Sequence, residues 1–170
     1  MDGKSRRQEI LSCLSQSDEA ISARKLAAYF NVSRQIIVGD IALLRASGDE
    51  VIATARGYKM NHDQAAFKTK IVVQHTKEQT RQELETIVAL GGEVVDVIVE
   101  HDLYGEIVGN LYIKSQADVD EFIQKYEASQ ASLLLQLTNG IHLHTIIYQK
   151  KEDLEKIRQA LAKAGLLYQE

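Results

Sequence analysis

Residues 32–45, VSRQIIVGDIALLR, constrain the fold of this chain more than any other segment. They have the pattern of a tight turn followed by an amphipathic helix. Ser33 is placed to cap the start of that helix, because its side-chain oxygen can accept a hydrogen bond from a free backbone N–H group. Ile37, Ile41 and Leu44 recur at spacings of four and three, so they share one buried face. The segment predicts the turn and second helix of a helix-turn-helix.

The other side of this predicted helix carries side chains suited to DNA. Arg34 and Gln35 lie near its N-terminus, and Val38 lies beside them. Arg and Gln can each form two hydrogen bonds with the edge of a guanine or an adenine in the major groove. Because the N-terminal end of a recognition helix enters the groove, we expect these three side chains and the capping Ser33 to contact double-stranded DNA.

The flanking segments complete a winged helix-turn-helix over residues 1–61. Residues 6–14 and 22–30 predict two short helices ahead of the turn. Residues 51–60 alternate like a two-stranded hairpin, which would be the wing. We expect Arg56, in this wing, to be a further DNA contact. A generic three-helix bundle is the alternative fold for this region.

Charge divides between the two halves of the chain. The 170 residues carry 20 Lys or Arg and 24 Asp or Glu, a net charge of −4. Residues 1–60 hold nine basic and seven acidic side chains, whereas residues 61–170 hold eleven and seventeen. This asymmetry fits a DNA-binding domain joined to an acidic module that stays away from the phosphates. Residues 61–67 are the best candidate for the boundary.

Nothing in the sequence points to a membrane or to an oxidising compartment. No apolar run approaches the length of a membrane span, and the N-terminus lacks the pattern of a secretory signal. The single cysteine, Cys13, cannot form a disulfide within the chain. We therefore expect a cytoplasmic protein with no membrane partner.

From residue 69 onward, strand patterns alternate with helix patterns in the order β-α-β-β-α-β-α. The strands are predicted at residues 69–76, 94–101, 106–114 and 141–148, and the helices at residues 80–90, 117–129 and 152–164. This order predicts an α+β module over residues 68–170, in which a mostly antiparallel sheet carries helices on one face.

The last predicted strand carries two histidines in a His-x-His pattern. His142 and His144 project from the same side of the strand, with Cα atoms about 7 Å apart. Ile141 and Leu143 are expected to point the other way, into the core between sheet and helices. Two imidazoles at this spacing can bind one metal ion, although the same pattern also occurs on solvent-facing strands that bind none.

His75 and Glu83 are candidates for the rest of such a site. His75 closes the first strand of the module, and Glu83 lies eight residues later, one turn into the next helix. If the first and fourth strands are neighbours, His75 meets the His-x-His pair and Glu83 lies over all three. Spacing alone does not establish that neighbourhood, so a solvated strand end and a solvated helix face stay open as alternatives.

His101 ends the second strand of the module, in the segment EHDLYGEI. It is a candidate for a further metal ligand, for a partner of a ligand, or for a contact to an acidic effector, and a structural role fits equally well. Tyr104 and Gly105 follow in a turn, where glycine tolerates positive φ. We assign His101 and Tyr104 to the effector-binding region.

Taken together, these motifs resemble one family. They are SRQIIVGDI in the predicted recognition helix, IATARGY in the wing, His75, the group His101-Tyr104-Gly105, and NGIHLHT at residues 139–145. Over residues 5–168 the chain resembles the niacin-responsive transcriptional repressors. The resemblance implies repression of genes for NAD biosynthesis and niacin uptake, with nicotinic acid as corepressor. It also implies that the second domain has an open-faced β-sandwich similar to the phosphocarrier protein of sugar transport.

In that family three histidines and one glutamate bind a divalent transition metal. Carried over to the matching positions, these ligands are His75, Glu83, His142 and His144. The donor set suits nickel, zinc, iron or cobalt, and nickel or zinc is expected. We expect nicotinic acid at an open position of the metal, with His101 or Tyr104 near its other end. A homodimer is expected, because two recognition helices one DNA turn apart read a palindromic operator.

Two positions depart from the family pattern, since Asp102 and Ala55 stand where it has proline. A metal-responsive regulator is the alternative function, in which DNA binding follows the metal and ignores nicotinic acid. An enzyme is not expected. Glu83, which could act as a general base, is used as a ligand, and a DNA-binding domain needs no turnover.

Overall fold

The computed structural model describes residues 1–61 and 66–169, and the chain divides into two compact units, Met1–Gln64 and Ala65–Glu170. Within the described residues the helices are α1 (Gly3–Ser15), α2 (Ala23–Phe30), α3 (Arg34–Ala46), α4 (Thr80–Ala89), α5 (Gln116–Ala128) and α6 (Lys151–Lys163). The strands are β1 (Val51–Thr54), β2 (Gly57–Met60), β3 (Phe67–Gln74), β4 (Glu93–His101), β5 (Gly105–Ile113) and β6 (Ile141–Tyr148). Residues 62–65, within the predicted boundary, lie outside the described part of the chain.

The first unit consists of three helices and a hairpin. Ser22 caps α2 and Ser33 caps α3, each accepting from a backbone N–H three residues further on. Asn31, in the left-handed conformation at φ 53°, turns the chain between the two helices. The core is formed by Ile10, Leu14, Leu26, Ala27, Ile37, Ile41, Leu44 and Val51. The predicted helix-turn-helix is therefore confirmed, with its predicted cap on the recognition helix α3.

The β1–β2 hairpin is tied to the segment that precedes α2. Ile21 and Tyr58 exchange two backbone hydrogen bonds, of 2.8 and 2.9 Å. Gly57 opens β2 at φ 140°, and a Cβ there would overlap the backbone of Ile21. Glycine is therefore required at this position, and the close approach that it permits holds the wing against the helices.

Asp40 is a buried charge in this unit that sequence analysis did not single out. Its side chain, on α3, is 4% exposed. Arg6 and Arg7, on α1, donate to its two carboxylate oxygens at 2.6 and 3.3 Å. The hydrogen bond to Asp40 also raises the pKa of Arg6. Because a buried carboxylate is costly without such donors, the ion pairs link α1 to the recognition helix.

The second unit is a four-stranded antiparallel sheet with the strand order β3-β6-β4-β5. Along the chain its elements run β3-α4-β4-β5-α5-β6-α6, which confirms the predicted order. β3 and β6 are paired over their full length, from Phe67 with Tyr148 to Gln74 with Ile141. The first and fourth strands of the module are therefore neighbours, the condition on which the predicted cluster of histidines depended.

The two faces of β6 are the reverse of those expected from the sequence. His142 and His144 are 2% and 3% exposed, and their partners on β3 are also buried. Ile141 is 36% exposed and Leu143 is half-buried. The prediction that Ile141 and Leu143 point into the core is therefore wrong. The histidines face α4, which carries Glu83, and the two apolar residues lie on the opposite face of the sheet.

Two further segments of the unit lie beside the sheet. After α6, Tyr168 donates its backbone N–H to Val72 at 3.0 Å, and Leu166 accepts from Gln74 at 2.9 Å, so the chain end runs beside β3. The 3₁₀ segment Leu134–Thr138, which the sequence did not predict, contacts β4 and β6. Among the described residues, no helix has the length and apolarity needed to cross a membrane.

Candidate metal centre and DNA-binding face

The N-terminal end of α3 presents its polar side chains to solvent. Ser33, Arg34 and Gln35 are exposed, and Val38 is half-buried at the edge of the apolar face. In the wing, Arg56 is 17% exposed, with Nη1 3.5 Å from a glutamate carboxylate oxygen. The contact of these five side chains with DNA stays a prediction.

Three histidines of the second unit are oriented by backbone carbonyl groups. The pairs are His75 Nδ1 with Thr76 O at 2.7 Å, His142 Nδ1 with Gly140 O at 2.9 Å, and His144 Nδ1 with Asp96 O at 2.6 Å. A carbonyl oxygen can only accept a hydrogen bond, so each Nδ1 is the atom that carries a proton. In the neutral rings, Nε2 is therefore left with a free lone pair, which is the form that binds metals.

The three Nε2 atoms converge on the carboxylate of Glu83. Glu83 Oε1 lies 2.7 Å from His144 Nε2 and 3.5 Å from His142 Nε2, and Oε2 contacts His75 Nε2. The two histidines of β6 bring their Nε2 atoms within 3.2 Å of each other. All four residues are buried. The structure thus brings together all four predicted metal ligands.

This arrangement fits a divalent transition metal. Donor atoms of His75, Glu83 and His142 all lie within 4.8 Å of one another. Two neutral rings that are protonated at Nδ1 cannot hydrogen-bond to each other through Nε2, so the close pair on β6 needs either a metal ion or a proton on one Nε2. Two ligand atoms at about 2.1 Å from a tetrahedral zinc are about 3.4 Å apart, close to the separation found here. The donor set does not select one metal.

Burial and charge oppose each other at Glu83. Burial alone would raise the pKa of this carboxyl, but the positive charge of His144 and the hydrogen bonds of the histidines hold it well below its usual range. Burial would likewise lower the pKa of His75 and of His144, and the contact with Glu83 raises both. In the absence of a metal these rings therefore tend to hold protons, which a bound ion would displace.

A small cavity, partly open to solvent, adjoins the cluster. Glu83, His142 and His144 form its polar end. Its other walls are Thr80, Leu84, Val97, Leu111, Phe122 and Leu133–Leu135. Thr80 is 6% exposed, and its hydroxyl has no hydrogen-bond partner among the described residues. Thr80 and the apolar walls could not be predicted from the sequence, because they come from five separate segments and no local pattern shows that these segments meet.

Gly140 is a second residue that the sequence did not assign to the site, although it lies in the NGIHLHT motif. Its carbonyl group orients His142, and its φ is 87°. A Cβ at this position would overlap the carbonyl oxygen of His75. Glycine is therefore needed for the turn before β6 to pass over the end of β3.

His101 and Tyr104 lie in the turn between β4 and β5. The Nδ1 atom of His101 accepts from the backbone N–H groups of Leu103 and Tyr104, at 3.2 and 3.3 Å. The two rings are 5.1 Å apart, and Tyr104 is 71% exposed. These contacts are all within the turn, and His101 is not among the clustered donor atoms. A contact of either residue with an effector stays a prediction.

A helix-turn-helix unit joined to a module with a buried three-histidine cluster defines a class of DNA-binding regulators. Family models agree: one described as an HTH domain matches residues 6–59, and one described as a 3H domain matches residues 68–170. The chain belongs to the 3H-domain family.

Two relatives match almost the whole chain. One, named probable transcription repressor NiaR, from Thermotoga maritima, is 40% identical over 165 residues, covering 97% of this chain and 94% of the relative. Another, transcription repressor NadR from Bacillus subtilis, is 37% identical over 171 residues, again covering 97% and 94%. The predicted family is confirmed, and so is the prediction that the chain is not an enzyme.

Proposed function

We propose that this chain represses genes of NAD biosynthesis and niacin uptake. In this proposal it acts in the cytoplasm as a dimer on operator DNA, with nicotinic acid as corepressor and a divalent transition metal in the second unit. One observation carries the proposal beyond the family. Three members of the buried cluster, Glu83, His142 and His144, form one end of a cavity whose remaining walls are almost entirely apolar.

The cavity is chemically suited to a small aromatic acid. Leu84, Val97 and Phe122 offer apolar surface for a pyridine ring, and the hydroxyl of Thr80 is a buried polar group in need of a partner. A bound metal supplies a Lewis-acidic position for a carboxylate or ring nitrogen. Because Thr80 lines this cavity, it becomes the first candidate for the second polar contact, ahead of Tyr104.

Residues of the sheet and of α4 hold the metal-binding end of the cavity in a fixed geometry. β3 and β6 place the histidines side by side, and α4 places Glu83 over them. An effector bound here needs to favour the DNA-binding state of the dimer by only about 1–3 kcal/mol for a useful switch.

Calorimetric titration of the metal-loaded chain with nicotinic acid tests the proposal. We expect saturable binding that is lost on chelation and in His142→Ala. Thr80→Val keeps the shape of the side chain and removes the hydroxyl, so it should retain the metal and bind nicotinic acid more weakly. Binding that persists unchanged without the metal would contradict the proposal. A metal-loaded chain that binds no nicotinic acid would favour the metal-responsive alternative.

A further inference from the structure

Gly39 lies near the middle of the recognition helix α3, where glycine is an unfavourable choice. The helix runs from Arg34 to Ala46, and Gly39 is exposed. Glycine destabilises a helix interior relative to alanine, because it loses more backbone freedom on folding and leaves the backbone open to water. A glycine at this position therefore calls for a physical reason.

Packing within the chain supplies no such reason. A Cβ built at Gly39 would meet nothing within 4 Å among the described residues. Its φ is not in the left-handed region either. Gly57 and Gly140 differ in both respects, since a Cβ at each would overlap neighbouring backbone. The fold of the first unit would accept alanine at position 39 without any movement of its neighbours.

Gly39 lies on the face of α3 opposite the core. Ile37 and Ile41, which are buried, lie on the other side of the helix. At 3.6 residues per turn, Gln35, Gly39 and Ala42 follow one another along the outward line. This is the surface that a helix-turn-helix turns toward the bases, and its N-terminal half enters the major groove.

We propose that Gly39 is the point at which the backbone of the recognition helix comes closest to the base edges of the operator. The absent side chain lets the helix lie deep enough for Gln35 to reach an adenine with both of its polar atoms. A methyl group at position 39 would hold the helix away from the groove. This inference rests on the DNA-binding part of the proposed function, so operator binding is measured with metal and nicotinic acid both present.

The test compares Gly39→Ala with the wild-type chain on a duplex from upstream of its own gene. The substitution should raise the unfolding temperature, because alanine is the better helix former. It should also weaken operator binding about tenfold, the scale of one mismatched base pair. Binding to an unrelated duplex should change much less, since phosphate contacts dominate it. Ser12→Ala, exposed on α1, is the control that raises helix propensity away from the groove and should leave operator affinity unchanged.

Three results would overturn the inference. If the Gly39→Ala chain is more stable and binds the operator as tightly as wild type, glycine at position 39 is not required for DNA binding. A variant that loses stability together with affinity shows that the fold requires Gly39. A variant whose main change is in its oligomeric state would show that position 39 lies in a contact between two copies of the chain. Failure of the proposed function is distinguishable, because the wild-type chain would then show no preference for the operator.

Discussion

Backbone carbonyl groups orient the histidines of the candidate metal centre, because each fixes which ring nitrogen carries a proton. Asp96 shows how firmly they are held. Its carbonyl accepts from His144, while its carboxylate accepts from the backbone N–H and the hydroxyl of Thr145, both at 2.8 Å. Supports of this kind orient ligands in many metal sites. The sequence predicted the four ligands but not these supports, since every residue type offers a carbonyl.

Gly140→Ala tests the role of one such support. The free energy of unfolding of this variant should fall by more than the roughly 1–2 kcal/mol that left-handed backbone costs a non-glycine residue, because its Cβ also overlaps the carbonyl oxygen of His75. Gly165→Ala is the matched control: its φ is 74°, and a Cβ there meets nothing within 4 Å. Chemical denaturation and metal analysis should show greater destabilisation and loss of metal only in Gly140→Ala. Equal effects in the two variants would show that position 140 has no special contact.

At the level of elements, the sequence predicted the six α-helices and six strands of the described residues but misjudged one face. Alternation shows which residues of a strand share a face, but not which face is covered. On β6, the face with Ile141 and Leu143 was assigned to the core because both residues are apolar. Ile146 and Tyr148 lie on the histidine side and are buried, and they are the signal that could have corrected it. The 3₁₀ segment Leu134–Thr138 was missed because its leucines have neither helix nor strand periodicity.

The wing offers a prediction at this scale. Arg56 stands 3.5 Å from Glu19, with its side chain 17% exposed, so a DNA phosphate would have to compete with that carboxylate. If Arg56 nevertheless contacts a phosphate, Arg56→Ala should reduce the slope of log affinity against log salt by about 1. Glu19→Gln should strengthen binding at low salt. An unchanged salt slope in Arg56→Ala would exclude the wing contact.

Across the whole molecule, the sequence separated a basic first part from an acidic second part, and the structure divides the chain into two units. The cavity beside the cluster was beyond prediction, because its walls come from α4, β4, β5, α5, β6 and the 3₁₀ segment. Only tertiary packing brings such distant segments together. Family resemblance could supply the ligands, but it could not supply the hydroxyl of Thr80.

Because the four predicted metal ligands all lie in the second unit, removal of the metal should destabilise that unit and not the first. An ion at 100 times its Kd stabilises the folded state by about 2.7 kcal/mol, and chelation withdraws that contribution. Amide hydrogen exchange should show protection falling in β3, β6 and α4, while α3 keeps its protection. The His142→Ala chain should not respond to the chelator. A loss of protection spread evenly over both units would contradict a local metal site.

In the proposed function, nicotinic acid and a metal together control DNA binding. Fluorescence anisotropy of a labelled operator duplex tests this joint control. The full chain is titrated at fixed salt, with and without the metal and with and without nicotinic acid. We expect tight binding only when metal and nicotinic acid are both present. Binding that is as tight without nicotinic acid, but is lost on chelation, would contradict the corepressor role.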